Sequence, residues 1–355
     1  MELIIDQCVK FESDTFNPFD DDAGALSDGH GHMFRIRRNN ACGKVRKMRI
    51  YESITELVGN TPLLHLRKIE EKEELLAKLY GKLEFYNPGG SVKDRIALNM
   101  IESAEKDGRL KQGGTVIEGT SGNTGIGIAA VCAAKGYKAV IRMPENMSRE
   151  RISILKAYGA EVHLTPAGKS MGGSGEKAEQ LIAETPGAFK PGQGGNPDNP
   201  GAHYKTTGPE IWRDTDGKID ILVACAGTGG TISGTAKYLK ERNPNIKTVA
   251  VEPTGSALLN GGEHGPHKIQ GIGGGSIPPV TDRTMIDEVI DVTDEQAYEY
   301  TRLAPRTEGI LIGISAGAAL YAATLVAKRE ENKGKTIVVI FPDGGDHYLS
   351  VEDLF

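Results

Sequence analysis

The lysine most suited to chemistry in this chain lies in Asn87-Pro88-Gly89-Gly90-Ser91-Val92-Lys93-Asp94-Arg95, a tight turn that delivers Lys93 into the first turn of a helix. Partial positive charge at a helix N-terminus disfavours an ammonium, so this placement predicts a lowered pKa and a nucleophilic amine able to form a Schiff base. The plain alternative is a solvated surface lysine, but such lysines are not usually set in a Pro-Gly-Gly-Ser turn. A second cluster, Glu118-Gly119-Thr120-Ser121-Gly122-Asn123-Thr124-Gly125, joins a strand to a helix. Its hydroxyls, amide and exposed backbone N–H groups can hold a carboxylate or another anion, and capping the helix would need only one of them. A third, Gly227-Thr228-Gly229-Gly230-Thr231, follows the apolar run Ile221-Leu222-Val223-Ala224 and can wrap a phosphate. It is neither a dinucleotide fingerprint, because Ile232 stands where the third glycine would be, nor a Walker A loop, because no Lys-Ser/Thr follows. Ser315, between an apolar run read as a strand and an Ala-rich helix, is by itself an N-cap, although its hydroxyl could meet a ring nitrogen. Gln193, in Gln193-Gly194-Gly195-Asn196, offers an amide in a glycine turn.

These pieces need elements to hold them. From Ile50 onward, short β-branched runs alternate with stretches of helical period, the pattern of βαβ units around mostly parallel sheets. The spacing predicts strands at 115–117, 139–143, 161–164, 219–224, 248–252 and 336–341. Helices are predicted at 92–106, 124–135, 148–158, 176–184, 232–242 and 316–328. Glycine turns recur at the carboxyl ends of strands, where open α/β sheets bind ligands. No repeat of solenoid length is present.

At 355 residues the chain is long enough for two α/β lobes, and its 46 glycines cluster beside Ser, Thr and Asn, as when backbone must approach a ligand. A net charge of −6 provides no basic footprint for nucleic acid or an anionic membrane surface. No apolar run reaches membrane-spanning length and no secretory signal order opens the chain, so a cytoplasmic location is expected. Cys8, Cys42, Cys132 and Cys225 have no disulfide or zinc spacing, and no metal is expected. Residues 1–47, with an acidic run at 20–22, read as a poorly ordered extension, and their acidic residues argue against a mitochondrial transit peptide. His30, His32, Cys8 and Cys42 lie in that segment with nothing to hold them rigid around a metal or haem.

Taken in order, the motifs resemble the cysteine synthase (O-acetylserine sulfhydrylase) and cystathionine β-synthase family of fold-type II pyridoxal 5'-phosphate (PLP) enzymes. The likeness runs from about residue 50 to Phe355. It includes Gly59-Asn60-Thr61-Pro62-Leu63, Met143-Pro144-Glu145, Ala202-His203-Tyr204 and His267-Lys268-Ile269-Gln270-Gly271-Ile272-Gly273. It implies an α/β architecture like the tryptophan synthase β chain, with two three-layer α/β/α domains and mostly parallel sheets. Residues 48–87 plus 199–355 would form the larger, PLP-binding domain, and 88–198 a smaller, mobile substrate-binding domain.

Carried over residue by residue, the resemblance implies that Lys93 forms the internal aldimine and then moves the α-proton. Asn123 would meet the cofactor's 3'-oxygen, and Gly227, Thr228, Gly229, Gly230 and Thr231 its phosphate. Ser315 would face its pyridine nitrogen. Thr120, Ser121, Gly122, Thr124 and Gln193 would bind the substrate carboxylate. The implied reaction is a β-replacement forming L-cysteine from O-acetyl-L-serine and sulfide through an aminoacrylate, by a transferase or lyase acting as a homodimer, with serine acetyltransferase as a partner in many members. Cystathionine β-synthase chemistry on serine and homocysteine, or a cysteine lyase releasing hydrogen sulfide, are the alternatives. This sequence departs from the family at Gly194 and Ser276, where aromatic residues are common, and also at Gly344 and Ala316. The first two changes are expected to widen or re-line the substrate side. A nucleotide-dependent oxidoreductase would also explain glycine turns after strands, but lacks its fingerprint here. A binding protein that kept the fold without catalysis would have no reason to retain Lys93.

Overall fold

The computed structural model describes residues 24–27, 33–36 and 50–355, apart from 121, 146–147, 166–178 and 180. Two units are distinguished, Met1–Ile50 and Tyr51–Phe355. In the first, strands β1 (Gly24–Ser27) and β2 (Met33–Ile36) pair antiparallel. Cys8, Cys42, His30 and His32 lie outside the described residues.

The described residues of the second unit form two sheets. Strands β3 (Leu63–His65), β4 (Lys78–Leu83), β8 (Ile221–Cys225), β9 (Lys247–Pro253), β10 (Glu288–Val292) and β11 (Thr336–Phe341) form one, in the order β10-β9-β8-β11-β4-β3. Only the β3–β4 pair is antiparallel. Strands β5 (Thr115–Gly119), β6 (Lys138–Pro144) and β7 (Glu161–Thr165) form a three-stranded parallel sheet.

Alternation along the central strands explains the layering. Ile221, Val223, Val249, Val251, Ile337, Val339 and Phe341 pack in one cluster with Ile69, Ala297, Ala304 and Leu320. Those helical residues come from α1 (Arg67–Lys72), α8 (Asp294–Glu308) and α9 (Ile314–Ala327). Leu222, Ala224, Ala250, Val338 and Ile340 point the other way, onto Ile211 of α6 (Thr207–Asp214) and Ile232, Ala236 and Leu239 of α7 (Gly230–Lys240). A sheet covered by helices on both faces must be apolar on both, which is why β8 and β11 read as unbroken apolar runs. The same logic makes α9 apolar all round, with 12 of its 14 residues buried. The smaller sheet is likewise covered on both faces, on one of them by α2 (Lys93–Lys106), α3 (Asn123–Lys135) and α4 (Arg149–Ala157).

Six predicted strands and five predicted helices are present with small shifts at their ends, while the helix expected at 176–184 falls partly outside the described residues. The run before Ser315 differs. Helix α8 ends at Gly309 in the left-handed region (φ 75), and Ile312 makes only an isolated bridge to Gly344. Ser315 is therefore the second residue of α9, whose N-cap is Gly313.

Candidate active site

Lys93 owes its position to hydrogen bonds on both sides of its turn. Asn87 donates Nδ2 to the Glu84 carbonyl (2.8 Å) and accepts from the Gly59 N–H (2.8 Å). Val92 N–H donates to the Pro342 carbonyl at 2.7 Å, which ties the start of α2 to the end of β11. The half-buried Lys93 amine is held below the usual lysine range because burial disfavours its charge, while the Asp343 carboxylate works in the opposite direction. Burial thus acts in the same direction as the effect expected of the helix terminus.

Beneath the turn lies a buried ionic network. Arg95 grips Glu84 through Nε (2.7 Å) and Nη2 (2.8 Å), and Glu210 through Nη1 (2.7 Å) and Nη2 (2.8 Å). Lys82 adds a 2.8 Å bond to Glu210, and Thr61 donates to Glu84 at 2.7 Å. Burial alone would raise the Glu210 pKa, but Arg95 and Lys82 hold it down to about 2.

The loop after β5 places Gly122 as N-cap of α3, with Asn123 and Thr124 in its first turn. The Thr124 hydroxyl donates to Gln193 Oε1 at 2.8 Å. Asn199, on α5 (Asp198–Lys205), donates both to the Gln193 carbonyl (2.8 Å) and to Thr228 Oγ1 (3.0 Å), so one amide joins the Gln193 turn to the third cluster. At the third cluster Gly229 is left-handed (φ +76) and no side chain caps α7, leaving first-turn N–H groups for a ligand. A Cβ on Gly230 would lie 1.9 Å from Asn199 Oδ1, so only glycine fits there. Thr231 shares a 3.2 Å hydrogen bond with His203, which burial lowers to about 3 and keeps neutral.

Glu118 braces the same region. Its carboxylate accepts from the Gly192 N–H at 2.8 Å, and burial raises its pKa to about 7 despite the backbone donors of Gly192 and Gln193. A folded value above the ordinary 4.5 means that this contribution to stability is full below pH 4.5 and is lost as the pH rises through about 7. Glu118→Gln keeps an acceptor and is expected to flatten that dependence, as denaturant melts at several pH values across the window would show. Parallel declines in both proteins would assign the loss to other groups.

These elements enclose a cleft of about 660 Å³, opening at the carboxyl ends of strands. Lys93, Thr120, Gly122, Asn123, Thr124, Gln193, Gly227, Thr228, Gly229, Thr231 and Ser315 all line it. Gly230 packs behind it against Asn199, and Ser121 lies outside the described residues. Ser276 stands on the wall, whereas Gly194 is not among the lining residues, and a Cβ there would lie 3.8 Å from Pro278. Asp343, Tyr348 and Arg151 also line the cleft, and neither they nor Asn199 were singled out from the sequence. Only the Pro-Asp pair preceding Gly344 hinted at Asp343.

The family of pyridoxal-phosphate dependent enzymes matches residues 54–343. This chain belongs to that family. Among curated proteins it is similar to a cysteine synthase of Staphylococcus aureus, 53% identical over 300 residues that cover 84% of this chain and 96% of the relative. Among solved structures it is similar to the cysteine synthase of Entamoeba histolytica, with TM-score 0.84 and 46% identity over 88% of this chain and 93% of that one. It is also similar to a hydrogen sulfide-producing enzyme from Fusobacterium nucleatum, with TM-score 0.82 and 48% identity over 84% of this chain and all of that one (100%).

The cleft of this pyridoxal-phosphate dependent enzyme fits its cofactor. The uncapped first turn of α7 suits a phosphate, and a Cβ on Gly227 would lie 2.6 Å from the Gly271 carbonyl, so side chains are kept out of the cradle. Among the described residues the buried Asn123 Oδ1 has no hydrogen-bond partner, and burial lowers the pKa of the Lys93 amine.

Proposed function

We propose that this enzyme forms L-cysteine from O-acetyl-L-serine and sulfide. The observation that carries the reading is a lysine amine of lowered pKa sharing one cleft with a hydroxyl-rich helix start, in a chain 53% identical to a cysteine synthase. The bound cofactor supplies an electron-withdrawing ring that loosens the bonds at the substrate's α-carbon. The rest falls to the chain's own residues. Lys93 Nζ holds the cofactor and moves the α-proton. Thr228, Thr231 and the N–H groups from Gly227 to Thr231 hold the phosphate, with Asn123 and Ser315 at the ring's polar edges. Thr120, Ser121, Gly122, Thr124 and Gln193 bind the α-carboxylate.

In this reading residues 88–198 form a smaller domain that closes over the cleft and excludes water. The larger domain comprises 48–87 and 199–355, and the enzyme acts as a cytoplasmic homodimer. Replacing Thr124 by valine removes a hydroxyl donor of the carboxylate loop and its bond to Gln193, and is expected to raise the KM for O-acetyl-L-serine about 10-fold, with cofactor content unchanged. The deciding experiment incubates the purified, cofactor-loaded enzyme with O-acetyl-L-serine and sulfide and measures cysteine and acetate. Absence of both products would overturn the proposal. A second reading, release of hydrogen sulfide from cysteine, is favoured by the Fusobacterium nucleatum relative. Faster sulfide release from cysteine alone would move the assignment there.

A further inference from the structure

Asp343 joins three of the four segments that carry the cofactor-facing residues, those of Lys93, Asn123 and Ser315. It follows Pro342 at the end of β11, is 1% exposed and makes an isolated bridge to Ser91 in the Lys93 turn. Its carbonyl accepts from the N–H of Gly313, the N-cap of the Ser315 helix, at 3.1 Å. Its Oδ2 accepts from Asn123 Nδ2 at 2.7 Å and from the Tyr348 hydroxyl at 2.5 Å, while the buried Oδ1 has no hydrogen-bond partner among the described residues. Arg151 from α4 lies 4.9 Å above the Tyr348 ring and donates Nη1 to Gln270 at 2.6 Å. Only an N–H can face a carboxylate, so Asp343 decides which way the Asn123 amide points and leaves its second N–H for a ligand in the cleft.

We propose that Asp343 is a positioning residue that orients Asn123 and supplies the negative charge balancing the Lys93 nitrogen. This rests on the cofactor-binding reading of the cleft and not on which amino acid is turned over. Among the described residues, the charged and titratable groups near the pair are Asp94 next to Lys93 on α2, Tyr348, His347 and Asp346 on the segment of Asp343, Cys225 on β8, His203 on α5 and, above Tyr348, Arg151. Among those named, Asp343 is the group that favours the protonated lysine, and burial opposes it. The Lys93 nitrogen is positive when protonated, whether free or joined to the cofactor, so removing the carboxylate must make that proton easier to lose.

The test is an absorbance scan of the cofactor-loaded, full-length protein without substrate, from about pH 6 to about pH 11. In Asp343→Asn, an isostere that keeps both acceptor contacts but no charge, half-loss of the long-wavelength band is expected at a pH lower by about 1 unit or more. Asp343→Ser should shift it the same way and replaces the first variant if that one fails to fold. Tyr348→Phe removes a contact of the same carboxylate but keeps its charge, and is expected not to lower the midpoint. Loss of the band at the same pH in the Asp343 variants and wild type, or an equal fall in Tyr348→Phe, overturns the proposal. Wild-type protein that takes up no cofactor overturns the cofactor reading and this proposal together. Protein that titrates as expected but makes no cysteine overturns only the assigned reaction.

Discussion

Lys93→Ala is expected to lower the rate of cysteine formation by about 10³-fold or more, the range over which a positioned general acid or base acts. The same substitution should end covalent retention of the cofactor. Borohydride reduction followed by intact-mass measurement should then show an adduct on wild-type protein and none on the variant. No other residue is expected to take over. Lys82 is spent on Glu210 and the Thr61 carbonyl, and Lys268, although on the cleft wall, is exposed. Covalent attachment and undiminished turnover in Lys93→Ala would refute the assignment outright.

Arg95→Ala is expected to destabilise the Tyr51–Phe355 unit by about 3–5 kcal/mol. Glu84 and Glu210 would be left buried without their main partner, and an uncompensated buried charge costs that much. The apparent melting temperature should fall on the order of 10 °C. Arg95→Lys should recover only part of the loss, because an ammonium cannot grip two carboxylates through a planar fork. There is also a pH signature. The Glu210 value, held down to about 2, lies below its ordinary 4.5, so its stabilisation is present above pH 4.5 and lost as the pH falls toward 2. Thermal melts of wild type and Arg95→Ala across that acid window should therefore converge as the pH falls. A constant gap between the two curves would place the cost of the substitution outside the Glu210 pair. Because the network underlies the turn carrying Lys93, cofactor release on warming is expected to begin at a lower temperature in the variant.

Two kinds of information separate in this protein. The turns at 87–93, 118–125 and 227–231 were legible because they depend on glycine, proline and small polar side chains acting within a few residues of one another, next to apolar runs that must be strands. Strand β4 (Lys78–Leu83) was not. It carries Lys82, which is fully buried only because Glu210, far along the chain, comes to meet it. Helices α5 and α6 escaped notice because Pro200, Gly201 and Pro209 obscure their period and their irregular junction at Thr206 (φ −128, ψ −65) breaks it. Ser315 was assigned to a strand-to-helix junction, but the apolar run before it finds only one bridging partner, at Gly344, and stays irregular.

The amino-acid order alone determined the α/β class, the parallel sheets and the lysine and glycine turns facing the cleft, since local backbone sterics and apolar periodicity operate before any distant contact forms. Tertiary structure alone decided that Asn199 links Gln193 to Thr228, that Asp343 meets Asn123, and that Arg151 covers Tyr348. Each of these pairs residues from separate elements, and a buried polar group reveals its role only when folding brings the partner that replaces its lost water.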